Sequence, residues 1–465
     1  MVASASMDPV PAEAAVTEGD GRSSNSQDGT APRLAFDGRG VPSDVLGSPA
    51  DELDQRIAAA VEAEASAMEE LLFRLIEQPT TLGNEAGGQE VMREAFRSLG
   101  LEPAEVPMEA EVLRAHPAAA PFDWDVDGKI NLVAAWGQDR GGRSLILNGH
   151  VDVVPVETED GWTRPPFVPT RDGDWIYGRG AADMKCGLAA IVGAVRGLQA
   201  VGLEPGGRVL LESVVEEECT GNGTLATVLA GYTADAAVVA EPFGAAITTS
   251  QVGVLWFQVR VRGEASHAAE GRRSANAIEA SYDVMRALRG LEAELNESPP
   301  PPFDRFTHPI NLNVGEIRGG GWASTAPDEC VTTYRIGSYP GMHIRDLQGR
   351  IETSVAGASA AFPHPPEVHY SGFSSEGYEI ADDHPLVSTL ASAFARRTGE
   401  PPALVATTGT TDAAVLGMLG ETPAVCFGPY AERTHAANER VSFPSLVQTA
   451  QVMASFIREW CGVAG

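Results

Sequence analysis

A small set of His, Asp and Glu residues has the spacing to do chemistry. His150 ends the run LILNGH, and Asp152 follows two residues later. In an extended segment residues i and i+2 face the same way. That places the Asp152 carboxylate to accept the second imidazole N–H of His150, as carboxylates do behind metal-binding histidines. Asp183 follows GRGAA, and Glu216, Glu217 and Glu218 close the run VLLESVV. Glu241 closes AAVVA ahead of Pro242, and His435 lies in the polar loop ERTHAANER. Three of these sets fall at the carboxyl ends of apolar, strand-like runs, the edge where ligand crevices form in open α/β sheets. Carboxylates converging there repel one another unless positive charge joins them. One or two divalent cations would supply it. Imidazole and carboxylate donors suit zinc best and also admit cobalt or manganese. A carboxylate bridging two cations leaves space for a water whose pKa falls toward neutrality. Taken singly, an HxD, a triple Glu after a strand and a Glu-Pro turn each read as solvated surface. Their joint occurrence at successive strand ends carries the metal reading.

The elements that must position these groups are legible as periodicities. NLVAAWG, SLILNGHVDVV, VLLESVVEE and AAVVAE are short apolar runs that read as buried strands. GLAAIVGAVRGLQAVG between them reads as a closely packed helix. This alternation predicts an α/β fold with a mainly parallel sheet covered on both faces. DELDQRIAAAVEAEASAMEELLFRLIEQ predicts one helix ending before Pro79, and QEVMREAFRSLG a second closed by Gly100. After Thr248 the pattern changes to β-α-β-β-α-β, a ferredoxin-like α+β unit inserted in the first. The expected division is a disordered tail over 1–51, a first catalytic part over 52–251, the inserted domain over 252–373, and a second catalytic part over 374–465.

Bulk properties exclude several classes. The 465-residue chain carries 64 acidic against 33 basic residues, a formal net charge of −31. Such a surface repels a phosphate backbone and an anionic membrane face, so neither nucleic acid nor membrane is an expected partner. Cys186, Cys219, Cys330, Cys426 and Cys461 are scattered, with no CxxC pair, which argues against a disulfide framework or a zinc ribbon. The first residues have no basic start or apolar core, and the expectation is a cytoplasmic protein.

With these residues in view, the chain resembles the M20 metallopeptidase/deacylase family, which includes acetylornithine deacetylase, succinyl-diaminopimelate desuccinylase and glutamate carboxypeptidases. The motifs that carry the resemblance are GHVDVVP, YGRGAADMKCG, VVEEECTGNGT, VVAEP, GEASHAAEG, GGGWASTAPDEC with YRIGSYPG, GTTDAAVLG and ERTHAANERV. The resemblance implies two divalent metal ions, zinc foremost. His150 and Glu241 would hold one, Glu218 and His435 the other, with Asp183 bridging and Asp152 orienting His150. Counting back from Gly223-Thr224 places the catalytic pair at Glu217, the general base, and Glu218, a ligand. Glu216 stands where the family usually has aspartate. His267 would stabilise the oxyanion from a partner subunit, making the protein a homodimer through its inserted domain. Arg335 falls where relatives bind a substrate carboxylate, and Asp412, in a turn near the site, is taken with it as substrate-binding. The segment Ser324-Thr325-Ala326-Pro327 departs from the family, which often carries Asn before Val-Pro there.

The function so implied is removal of an N-acyl group from a small amino-acid-like substrate, with a zinc-bridged hydroxide attacking the amide and Glu217 moving the proton. A dipeptidase or carboxypeptidase, an N-formyl-amine deformylase, and a non-catalytic binding protein on the same fold are the alternatives. His308 and His343 read as structural or exposed, and Cys186 and Cys219 as packing residues.

Overall fold

The computed structural model describes residues 39–40, 51–244, 246–271 and 275–464. The tail expected over 1–51 lies outside the described residues, apart from 39–40 and 51. The longer strands, in chain order, are β1 (Ala104–Pro107), β2 (Ile130–Trp136), β3 (Leu145–His150), β4 (Val209–Val214), β5 (Ala237–Val239), β6 (Ile247–Gln251), β7 (Gly253–Arg262), β8 (Asn313–Gly319), β9 (Glu329–Ser338), β10 (Glu367–Ser375), β11 (Ala403–Thr407) and β12 (Ala424–Cys426).

Two sheets organise them. The larger has ten strands and runs from Arg39–Gly40 through β11, β6, β12, β5, β3, β4 and β2 to β1, with Tyr378–Glu379 added beside β6. Its middle, β12-β5-β3-β4, is parallel throughout. The flanks are mixed: β2 is antiparallel to β4 and to β1, and β6 is antiparallel to β12. The expected parallel character therefore holds for the centre, where helices cover both faces and every residue of β3 and β4 is buried. Because β3, β4 and β5 run side by side in one direction, their carboxyl ends share one edge. His150 is paired with Val214 in register, so the turns that follow each strand emerge together.

The helix Lys185–Ala200 packs on this sheet, and its small residues admit close neighbours. A Cβ on Gly193 would stand 2.2 Å from the Met68 sulfur, and one on Gly197 would stand 2.3 Å from Val61 Cγ2. The single helix expected before Pro79 is instead two, Glu52–Ala63 and Ala65–Ile76, divided at Glu64. Val61 and Met68 lie on opposite sides of that break and seat on successive glycines of the same helix.

The smaller sheet has the order β8-β9-β7-β10, all antiparallel. In chain order of its own strands that is second, third, first, fourth, the ferredoxin-like arrangement expected. Leu255, Phe257, Val259 and Val261 alternate along β7 toward a core. Val284, Leu288 and Leu291 of helix Ala277–Leu295 and Leu347, Ile351 and Val355 of helix Ile344–Ala358 close that core from one side. Phe257 stacks on Tyr334, ring centroids 5.0 Å apart. All five cysteines are free and buried. No helix among the described residues is long and apolar enough to cross a membrane.

Candidate metal centre

The end of β3 delivers His150 fully buried at the shared edge. Its Nδ1–H donates to the Asp152 carbonyl at 2.9 Å. That bond fixes the tautomer and leaves the Nε2 lone pair free, and Nε2 has no hydrogen-bond partner among the described residues. Around it stand Asp183 Oδ1 at 3.3 Å, Glu217 Oε2 at 3.6 Å and Glu241 Oε1 at 3.6 Å. An orphaned buried lone pair facing carboxylate oxygens is the donor set of a cation site.

A second group adjoins the first. His435 Nε2 lies 3.1 Å from Asp183 Oδ2 and 3.0 Å from Glu218 Oε2. The two oxygens of Asp183 thus face different histidines. Among the described residues two sets of donor atoms are compact enough for one ion, His150 with Asp183 and Glu218, and His150 with Glu217 and Glu241. His435 is carried on a loop whose backbone is left-handed at Arg433, His435 and Asn438, a contorted path that turns its ring back over the edge.

The three consecutive glutamates part company after β4. Glu216 has φ 63°, so its side chain turns away from the histidines. It is fully buried, and its carboxylate accepts from Trp124 Nε1 at 2.8 Å, Lys129 Nζ at 2.7 Å and Thr220 Oγ1 at 3.0 Å. Lys129 also reaches Glu85 Oε1 at 2.8 Å. Glu217 then faces His150 and Glu218 faces His435.

Asp152 differs from expectation. Its carboxylate Oδ1 is 3.6 Å from the imidazole Nδ1, longer than the bond from Nδ1 to its own carbonyl. The carboxylate is drawn instead to main-chain donors, accepting Glu218 N at 3.0 Å and Glu217 N at 3.3 Å.

Electrostatics follow burial. Desolvation pushes the Glu217 and Glu241 carboxyls well above the usual range, with neighbouring carboxylates adding to the rise. Asp183 goes the other way: burial opposes its charge, but the rings of His150 and His435 hold it low. Burial also works against charge on His435, yet Glu218 and Asp183 raise it to about 11. Negative charge exceeds positive at this edge, and a divalent cation would offset the difference.

The remaining expected residues lie apart. His267 is exposed on the short strand Ser266–His267, its Nδ1 accepting Ala269 N at 3.2 Å, and no bond within the chain joins it to the centre among the described residues. Arg335, on β9, donates to Thr408 O at 3.3 Å and has no carboxylate partner among the described residues. Asp412 does not face an open site. It is 1% exposed, and its carboxylate accepts from Thr224 Oγ1 at 2.7 Å. Through Thr224, on the helix that follows the glutamate turn, it joins a buried network with Asn148 and Glu212. His308 pairs with Glu292 and His343 with Glu376, away from the centre. Sequence reasoning missed Lys129, Trp124, Arg179 and Glu439. Glu439 had a signal, since it stands four residues after His435 inside a motif already singled out.

The family model for Peptidase family M20/M25/M40 matches residues 146–459. N-formyl-4-amino-5-aminomethyl-2-methylpyrimidine deformylase of Halalkalibacterium halodurans is 32% identical over 367 residues, 73% of this chain and 84% of the relative. Acetylornithine deacetylase of Pectobacterium atrosepticum is 28% identical over 344 residues, 72% of this chain and 84% of the relative. Among solved structures, the di-peptidase Dug1p of Saccharomyces cerevisiae superposes with TM-score 0.72 at 14% identity, covering 88% of this chain and 98% of that one. Human carnosine dipeptidase 1 superposes with TM-score 0.71 at 16% identity, covering 89% and 100%. At those identities the likeness is one of fold.

Proposed function

The chain belongs to peptidase family M20/M25/M40 and is a hydrolase of C–N amide bonds, and from that premise we propose that it removes the N-acyl group from a small amino-acid-like substrate, using two divalent cations, zinc foremost. The observation that carries the two-cation reading is the split of Asp183, with Oδ1 3.3 Å from His150 and Oδ2 3.1 Å from His435. His150 and Glu241 would hold one cation and Glu218 and His435 the other, with Asp183 shared. When bound, the cations supply Lewis acidity, polarising the amide carbonyl and acidifying water.

The chain's own groups do the rest. Glu217 takes the proton of the attacking water and passes it to the leaving nitrogen. Its burial supports that work, since desolvation raises the proton affinity of the carboxylate above that of a solvated glutamate. Asp152 holds the Glu217–Glu218 main chain, so the base and its neighbour keep their separation. Arg335 receives the substrate carboxylate. Its guanidinium is half-buried and, among the described residues, bonded only to a neutral carbonyl, so an anion would complete its donors.

His267 is assigned to a second copy's site, bound through the smaller sheet as a homodimer. Its exposure supports this, as does β8, an edge strand exposed along almost its whole length, with Ile317 open on it and Trp322 open just after it. A second reading, release of formate from an N-formyl amine, is supported by deformylase relatives at 31–32% identity.

A panel of N-acetyl, N-succinyl and N-formyl amino acids, N-formyl amines and dipeptides, run with metal analysis on the same sample, tests both readings. Hydrolysis of acyl amino acids with about two zinc ions per chain is expected. Turnover of N-formyl amines alone would select the second reading, and turnover of dipeptides alone would overturn both.

A further inference from the structure

Glu439 and Arg179 form a buried ion pair, at 0% and 3% exposure, that the reaction described above does not use. Glu439 makes four contacts with one short segment. Its Oε1 accepts the main-chain N–H of Ala182 at 2.9 Å and of Asp183 at 3.0 Å. Its Oε2 accepts Arg179 Nη1 at 2.5 Å, and its own carbonyl accepts Gly178 N at 3.1 Å. The Arg179 guanidinium lies 5.3 Å from the Trp162 ring centroid, which covers it from solvent. Glu439 stands four residues after His435, so one side chain ties the His435 loop to the segment that carries Asp183. The two segments meet at the centre, His435 Nε2 to Asp183 Oδ2, 3.1 Å.

We propose that Arg179 and Glu439 are a positioning pair that locks the Asp183 main chain to the His435 loop and so sets the divalent-cation affinity of the centre. A carboxylate is required because every contact on it is a donor. An amide in its place would turn an NH2 group toward either two main-chain N–H groups or the guanidinium. Arginine suits the position because Nη1 reaches Oε2 while the planar guanidinium lies 5.3 Å from the Trp162 ring centroid. This rests on the reading of Asp183 as a cation ligand.

The test is Zn2+ affinity of the metal-stripped protein, by competition with a chromophoric chelator, alongside the melting temperature of the stripped form. Glu439→Gln should bind Zn2+ about 10–100-fold more weakly. Glu292→Gln is the control: Glu292 is a buried carboxylate under the smaller sheet, accepting Leu312 N at 2.7 Å. It should lower the melting temperature and leave Zn2+ affinity unchanged. Wild-type affinity in a folded Glu439→Gln overturns the proposal. So does an equal loss in both variants, the mark of general loosening. If Glu439→Gln does not fold, Arg179→Lys decides, since it keeps the charge and loses the planar guanidinium whose Nη1 reaches Oε2. About 3–10-fold weaker Zn2+ binding is then expected, and unchanged binding overturns the proposal. Asp183→Asn separates the two levels. Retained affinity there overturns the ligand reading and this inference with it. Lost affinity there, with wild-type affinity in Glu439→Gln, overturns this inference alone.

Discussion

Asp152 accepts the main-chain N–H of Glu218 at 3.0 Å, while its carbonyl takes the Nδ1–H of His150 at 2.9 Å. One residue therefore joins the first histidine of the centre to the glutamate turn that faces the second. Asp152→Asn puts an amide where two N–H donors converge. Its activity should fall about 10–100-fold, and kcat rather than KM should carry the loss. Steady-state kinetics on an acyl amino acid check this, and a wild-type kcat would remove Asp152 from the machinery.

Glu217 and Glu218 should separate cleanly. Glu217→Ala should lower kcat by about 10²–10⁴-fold and leave metal content near wild type. Glu218→Ala should lose metal as well as activity. Metal analysis of the two purified variants is decisive, and the reverse pattern would exchange their roles.

Lys129 stands between two buried carboxylates, 2.8 Å from Glu85 and 2.7 Å from Glu216. Lys129→Met leaves both without a counter-charge. Urea unfolding should show a loss of about 3–5 kcal/mol, with activity falling as the Glu216 turn relaxes. An unchanged midpoint would show that the pairing contributes nothing to the fold.

Glu212 supplies a pH dependence. Burial pushes its carboxyl from 4.5 up to about 7; the Asn148 hydrogen bond works against the rise and Asp412 adds to it. The folded state therefore binds this proton more tightly than the unfolded chain. That contribution is full below about pH 4.5 and lost as the pH rises through about 7. It is worth on the order of 3 kcal/mol. Glu212→Gln removes the titration, so the wild type should lose stability relative to the variant between pH 5 and pH 8 (~3 units of pH spanning the shift). Urea denaturation of both proteins at the two pH values measures it, and parallel responses would contradict it.

Arg335 should discriminate between substrate classes. Arg335→Ala removes a charge-assisted contact worth about 1.5–3 kcal/mol. KM for N-acyl amino acids should rise on the order of 10–100-fold, with little change for an uncharged N-formyl amine. An equal effect on both would detach Arg335 from carboxylate recognition.

Much of the fold was legible because its signals are local. The apolar runs ending at His150, Val214 and Val239 reappear as β3, β4 and β5, and the β-α-β-β-α-β pattern reappears as the smaller sheet. The antiparallel flanks were not legible, because strand direction depends on where the chain re-enters the sheet rather than on composition. The break at Glu64 was hidden for a similar reason. Both halves are helical in pattern, and only the glycines of a distant helix require their separate seating.

By itself the sequence determined which donor types stand at which strand ends, since strand length and side-chain chemistry are written residue by residue. It places His150, Asp183, Glu218, Glu241 and His435 as candidate ligands. Tertiary structure alone decided which way each side chain turned. Glu216 points away because Lys129 and Trp124, 87 and 92 residues upstream, hold its carboxylate in a left-handed turn. Asp152 serves the glutamate turn because two N–H groups compete for it at shorter range than the imidazole. Asp412 is held in a buried network by Thr224, 188 residues away. These are contacts between segments far apart in sequence, whose geometry no local periodicity encodes.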